Sequence, residues 1–134
     1  MPARPSARLQ PIRMLIVDDS NIVRRRIERS QQIADLQVVG SAADGREALE
    51  LFRATDPDVV TMDLTMPHMD GIECVEKLVQ MKPEVLILVI SALADKATAV
   101  EAMEKGANGF LNKPFSDRQL NEALEELLRG ARAS

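Results

Sequence analysis

Three aliphatic runs in the chain are almost free of polar residues: MLIV at 14–17, DVVTM at 58–62 and VLILVI at 85–90. A strand with one face in water alternates apolar and polar side chains. Runs that are apolar throughout must be covered on both faces, as in a parallel sheet held between two layers of helices. VVG at 38–40 and GFLN at 109–112 read as two further, shorter strands. The intervening segments carry helical spacing instead: Ile22, Val23 and Ile27; Ala48, Leu51 and Phe52; Ile72, Val75 and Val79; Leu93, Ala97, Val100 and Ala107; then Leu120, Leu124, Leu127 and Leu128. Five strand–helix units in series predict the α/β class: a single doubly wound domain with a five-stranded parallel sheet, right-handed crossovers and helices on both faces.

Local punctuation agrees with these boundaries. Asp56-Pro57 precedes the third strand, Lys82-Pro83 the fourth, and Gly106 stands where the fourth helix should stop. Ser116 with Gln119 has the form of a capping box opening the last helix, just after Pro114. A chain of 134 residues can bury a core without disulfide or metal staples. Cys74 is the single cysteine, so no intrachain disulfide forms; it reads as a small packing residue in a protein of a reducing compartment. The longest apolar run, VLILVI, falls far short of the roughly 18 residues of a membrane span. The N-terminal MPARPSARLQPIR is positively charged but lacks the apolar stretch of a signal peptide. Residues 1–11 are therefore expected to be a disordered extension, 12–130 the folded domain and 131–134 a short tail, with a cytoplasmic location. A net charge of −4 calls for neither nucleic acid nor membrane. Arg24, Arg25, Arg26 and Arg29 are expected to form a solvated helix face, an acidic partner surface being the alternative; no DNA-reading module accompanies them.

The acidic residues sit at informative places. In open parallel sheets, ligands bind beyond the carboxyl ends of the strands, where the strand order reverses. The first strand runs into Asp18-Asp19 and the third into Asp63. First and third strands are neighbours in a doubly wound sheet, so the three carboxylates should converge. Three such anions repel one another and need a cation, and a hard divalent ion with oxygen ligands, Mg²⁺, is the natural one. Ser91 ends the fourth strand and Lys113 the fifth. A hydroxyl and an ammonium facing a metal-bound carboxylate make an anion site suited to a transferring phosphoryl group, with Asp63 as the nucleophile that becomes an acyl phosphate.

The set formed by DD at 18–19, D at 63 followed by MP-x-MDG, SA at 91–92 and KPF at 113–115 resembles the response-regulator receiver (CheY-like) family, with the match running from about Arg13 to Leu128. The resemblance implies a flavodoxin-like (βα)5 fold with strand order 2-1-3-4-5. It implies phosphorylation of Asp63 by a histidine kinase or histidine phosphotransfer protein, with Ser91 and Lys113 assisting. Asp19 and Asp63 would ligate Mg²⁺ directly, Asp18 through water and Thr65 through its backbone carbonyl; Mn²⁺ can substitute. The Lys113–Pro114 peptide is expected to be cis, as in relatives. Ser91 and Phe110 would form the switch, reshaping the face of the fourth helix, fifth strand and fifth helix for a downstream protein. Phe110 lacks the hydroxyl of the tyrosine common at that position. Leu93, two residues beyond Ser91, cannot orient an attacking water by hydrogen bonding, so self-catalysed dephosphorylation is expected to be slow.

The resulting expectation is a stand-alone response regulator of a two-component, chemotaxis-like relay: not a conventional enzyme, monomeric, with dimerisation on phosphorylation left open. The same motifs are similar to the regulatory domain of chemotaxis methylesterases, so a receiver excised from a larger regulator is one alternative and a non-phosphorylated pseudo-receiver another. A phosphatase of the haloacid dehalogenase type would want an acid where Thr65 stands, and no GxxxxGK[ST] nucleotide loop is present. His68 is read as a surface loop residue, and Met62, Met66, Met69, Met81 and Met103 as core and loop packing.

Overall fold

A computed structural model of the chain describes residues 11–66, 69–92 and 95–133. Strands and helices alternate: β1 (Ile12–Val17), α1 (Asn21–Ser30), β2 (Leu36–Ala42), α2 (Gly45–Thr55), β3 (Val59–Met62), α3 (Gly71–Met81), β4 (Leu86–Ser91), α4 (Lys96–Glu104), β5 (Gly109–Asn112) and α5 (Asp117–Ala133). All the strands pair in parallel, in the order β2-β1-β3-β4-β5. This is the doubly wound α/β sheet that the apolar runs predict, with the flavodoxin-like strand order that the resemblance implies, and its order reverses between β1 and β3.

Alternate residues of the central strands feed two cores, which is why those strands read as apolar throughout. Leu15, Val17, Val60, Met62, Ile87 and Val89 face α2, α3 and α4, meeting Ala48, Phe52, Val75, Leu78 and Ala102. Met14, Ile16, Val59, Leu88 and Ile90 face α1 and α5, meeting Ile27, Leu120, Leu124, Leu127 and Leu128. Cys74 is fully buried in the first core, and desolvation pushes its thiol up to about 12. That makes it a packing group with no thiolate to offer.

Each helix begins on a side-chain cap that takes one of its unpaired amides: Ser20 accepts from the Val23 amide, Asp44 from Glu47, Asp70 from Glu73, Asp95 from Thr98 and Ser116 from Gln119. Ser116 and Gln119 form the expected reciprocal box, the Ser116 amide donating to Gln119 Oε1 at 2.9 Å. These caps all lie at the end of the sheet where the strands finish. Gly106, at φ +118, closes α4: its amide donates to Met103 O and the Ala107 amide to Ala102 O. That pair of bonds requires a left-handed residue, which glycine adopts without penalty.

The structure corrects several details. β2 extends to Leu36–Ala42, beyond VVG. Ala107 lies past the end of α4, in the loop, and Leu93 and His68 lie outside the described residues. Ile22 is 79% exposed, and Met81 and Met103 are also exposed rather than packed, because each turns outward on its helix. The expected extension at 1–11 falls outside the described residues except for Pro11.

One core residue is mismatched to its surroundings. Thr61 lies between Ile16 and Leu88 in the sheet, is buried, and its hydroxyl has no hydrogen-bond partner among the described residues. A buried unpaired hydroxyl costs about 1–2 kcal/mol, and valine has nearly the same shape. Thr61→Val should therefore raise stability by about 1 kcal/mol, moving the melting temperature up by roughly 3–5 °C. A calorimetric Tm at or below that of the parent would show that the hydroxyl is satisfied.

Candidate functional site

Sheet hydrogen bonding continues one residue past β1 and β3, and this sets the site. The Asp18 amide donates to Ala42 O at 3.0 Å and the Asp63 amide to Val17 O at 2.9 Å, so both carboxylates rise side by side from the centre of the sheet. Asp18 is 1% exposed and Asp63 4%, while Asp19 faces solvent. One oxygen from each of the three lies within 4.8 Å of the others.

From the next strands come a cation and a hydroxyl. The Lys113 amide donates to Ser91 O at 3.0 Å, which seats the lysine just beyond β5, and Ser91 is fully buried at the end of β4. Lys113 Nζ donates to Asp18 Oδ2 at 2.7 Å and stands 3.7 Å from Asp63 Oδ2. The other oxygens accept backbone amides: Asp18 Oδ1 from Ser20 at 2.8 Å and Asp63 Oδ1 from Thr65 at 3.3 Å.

One ammonium does not balance three carboxylates. Burial above all, and then the charge of Asp18, pushes the Asp63 carboxyl from 3.8 up to about 6; Asp19 adds a little, while Lys113 and the Thr65 amide pull the other way. Asp63 thus remains short of positive charge. Among the described residues the clustered donors are carboxylate oxygens, and the set fits a hard divalent cation.

The loop after Asp63 is held by a close backbone approach. The Gly71 amide donates to Leu64 O at 2.9 Å, and a Cβ on Gly71 would lie 2.3 Å from Asp63 O and 2.4 Å from Leu64 Cα. Only glycine lets the start of α3 pack this tightly behind the carboxylate.

The structure brings Asp18, Asp19, Asp63, Ser91 and Lys113 to one end of four adjacent strands, β1, β3, β4 and β5, as the sequence predicts. Phe110 is elsewhere, half-buried in β5 against the α2–α4 core. The expectation of a wholly solvated arginine face is corrected. Arg24 Nη1 donates to Asp18 O at 2.6 Å, and Arg26 reaches across to the Phe115 carbonyl and pairs with Asp117 at 3.6 Å. Helix spacing alone could not show this, because the partners of Arg26 lie in the β5–α5 turn and at the head of α5, far along the chain. Gly71 was legible only as part of the MDG motif, without its steric role.

The family sequence pattern for the response regulator receiver domain matches residues 14–125. The chain belongs to the response-regulator receiver family. The chemotaxis protein CheY of Thermotoga maritima is 39% identical over 115 residues, covering 86% of this chain and 96% of that protein. A protein-glutamate methylesterase/protein-glutamine glutaminase of Dechloromonas aromatica is 38% identical over 91% of this chain, which spans only 36% of that protein's length. Among solved structures, the CheX–CheY–BeF3–Mg²⁺ complex of Borrelia burgdorferi superposes with a TM-score of 0.81 at 30% identity, covering 89% of this chain and 90% of that one. The receiver's Lys113–Pro114 peptide is cis, as the resemblance implies. Among the described residues of the receiver, no helix is long and apolar enough to cross a membrane.

Proposed function

We propose that this receiver accepts a phosphoryl group on Asp63 from a histidine kinase or histidine phosphotransfer protein, as a module of the chemotaxis type. The observation that carries the reading is Asp63 itself: a buried carboxylate at a strand end, beside Asp18 and Asp19, with an ammonium 3.7 Å from its oxygen. In the transfer, an Asp63 oxygen forms a bond to phosphorus as the P–N bond of the donor phosphohistidine breaks, and the departing imidazole takes up a proton. Asp19 and Asp63 would hold Mg²⁺ directly. Asp18, whose two oxygens are engaged by Ser20 and Lys113, would contact it through water, and the Thr65 carbonyl would complete the protein ligands. When bound, the ion supplies charge neutralisation for the phosphoryl oxygens. Lys113 neutralises the same oxygens, and Ser91 donates a hydrogen bond to one of them.

The output follows from the position of Ser91 and Phe110 on neighbouring strands. Movement of Ser91 toward the phosphoryl group makes room for the Phe110 ring, which is half-buried, to turn inward and reshape the α4–β5–α5 face. That the Borrelia burgdorferi relative was solved with CheX, beryllofluoride and Mg²⁺ supports a metal-dependent, partner-binding role. Coverage of nearly the whole Thermotoga maritima CheY favours a stand-alone module. The match to the methylesterase supports a second reading, in which the receiver regulates a catalytic domain.

Intact-mass analysis after incubation with acetyl phosphate and Mg²⁺ tests the proposal. One phosphoryl group should add to the wild type, none without metal, and none to Asp63→Asn. Labelling of that variant would move the acceptor elsewhere.

A further inference from the structure

Helix α1 touches both turns that build the site. At its start, Ser20 caps the helix, the Ser20 amide holds Asp18 Oδ1, and Arg24 Nη1 holds the Asp18 carbonyl at 2.6 Å. One helical turn on, Arg26 reaches the β5–α5 turn. Its guanidinium donates to the Phe115 carbonyl, lies 4.7 Å from the centroid of the Phe115 ring, and pairs with Asp117 at the head of α5. The Phe115 ring is itself buried in the α1–α5 core. The end of α1 is tied down as well, with Asn121 of α5 donating to Ser30 O at 2.9 Å and accepting from the Gln32 amide at 2.6 Å.

The β5–α5 turn carries Lys113, whose amide is fixed to Ser91 O on one side. On the other side, two residues on, the turn is held by Arg26. We propose that Arg26 is a positioning residue for phosphoryl transfer: by clamping Phe115 to α1, it keeps the Lys113 ammonium between Asp18 and Asp63. This inference rests on the phosphoacceptor role of Asp63. The guanidinium suits the task, because its planar fork bonds a carbonyl and stacks on a ring at the same time, whereas an ammonium offers only a point charge. α1 thereby acts as a common template for the acidic turn and the lysine turn. The reach from the carboxylates to the ammonium is set by one rigid element rather than by two independent loops.

The test uses acetyl phosphate as donor, so that no kinase docking enters, and compares Arg26→Met, Arg26→Lys and Arg25→Gln. Arg25 is exposed on the same helix, and its replacement removes a charge while leaving the turn alone. Loosening the ammonium by a fraction of an ångström should slow Mg²⁺-dependent labelling of Arg26→Met by roughly tenfold. Mg²⁺ affinity of the unphosphorylated protein, which depends on the carboxylates, should stay within about twofold of wild type. Arg26→Lys should be intermediate and Arg25→Gln unchanged. Amide resonances of residues 113 and 115 should shift in both Arg26 variants. Labelling of Arg26→Met at the wild-type rate would overturn the positioning role alone. Rate and Mg²⁺ affinity falling together in step with melting temperature would also overturn it, making Arg26 a stability residue. Absence of labelling in the wild type would overturn the acceptor reading and this role with it.

Discussion

Asp63→Asn should stabilise the metal-free receiver by about 3 kcal/mol at pH 8, an effect opposite to the usual cost of altering a buried polar residue. The Asp63 carboxyl is raised from 3.8 to about 6 in the folded protein, by burial first and by the Asp18 charge second. The folded state therefore binds a proton that the unfolded state releases between about pH 4 and 6, and lowering the pH through that window stabilises the fold. Above it, the ionised carboxylate costs the fold roughly two units at 1.36 kcal/mol each, and the neutral amide of the variant removes this cost. The advantage should shrink as the pH falls through 6 and be gone near pH 4, where both side chains are uncharged in the folded state. Millimolar Mg²⁺ should also reduce it, by stabilising the wild type selectively. Urea unfolding midpoints at pH 8, 6 and 4 decide the matter. Equal midpoints at pH 8, or an advantage that persists undiminished at pH 4, would mean that Asp63 bears no uncompensated charge. The proposed function accounts for such a residue: a carboxylate already short of positive charge gains most from a cation.

Gly71→Ala should be the most damaging single-methyl change in the chain. The added carbon would lie 2.3 Å from Asp63 O, 2.4 Å from Leu64 Cα and 3.0 Å from Asp63 C. All three are backbone atoms in the centre of the site, so no side-chain rotation relieves the overlap. The start of α3 must back away, losing the Gly71 amide bond to Leu64 O. The cost expected is about 3 kcal/mol, at the upper end for overpacking, with a fall in melting temperature of roughly 10 °C. Acyl phosphate formation should fall with it even where the protein remains folded, because Asp63 moves with its own carbonyl. Gly130→Ala is the matched control, since a Cβ there meets nothing within 4 Å and alanine favours the helix. A Gly71→Ala protein with the melting temperature of the wild type would show that the β3–α3 loop yields easily.

The sequence by itself determined the layered architecture and the end of the sheet where chemistry is placed. Runs such as VLILVI cannot be solvated on either face, and a chain with three of them among five strands separated by helices has few ways to satisfy that constraint. Asp18, Asp19, Asp63, Ser91 and Lys113 were legible for the same reason: each directly follows or ends an apolar run, and parallel strands bring all such ends to one side. Helix faces were less legible where a helix covers little. α4 buries only Ala102, so the apolar spacing of Val100 and Met103 carried no information about packing, and Ile22 of α1 proved exposed despite its place in the apolar pattern.

Tertiary structure alone decided what the arginines of α1 do, why Gly71 must be glycine, and how strained Asp63 is. Each depends on atoms brought together from distant parts of the chain: a guanidinium meeting a carbonyl of the β5–α5 turn, a missing Cβ behind a carbonyl, and carboxylates from two strands sharing one ammonium. Sequence pattern reports which surfaces must leave water. Distances of a few ångströms between groups that are far apart in the chain, on which electrostatics and close packing turn, exist only once the sheet has closed.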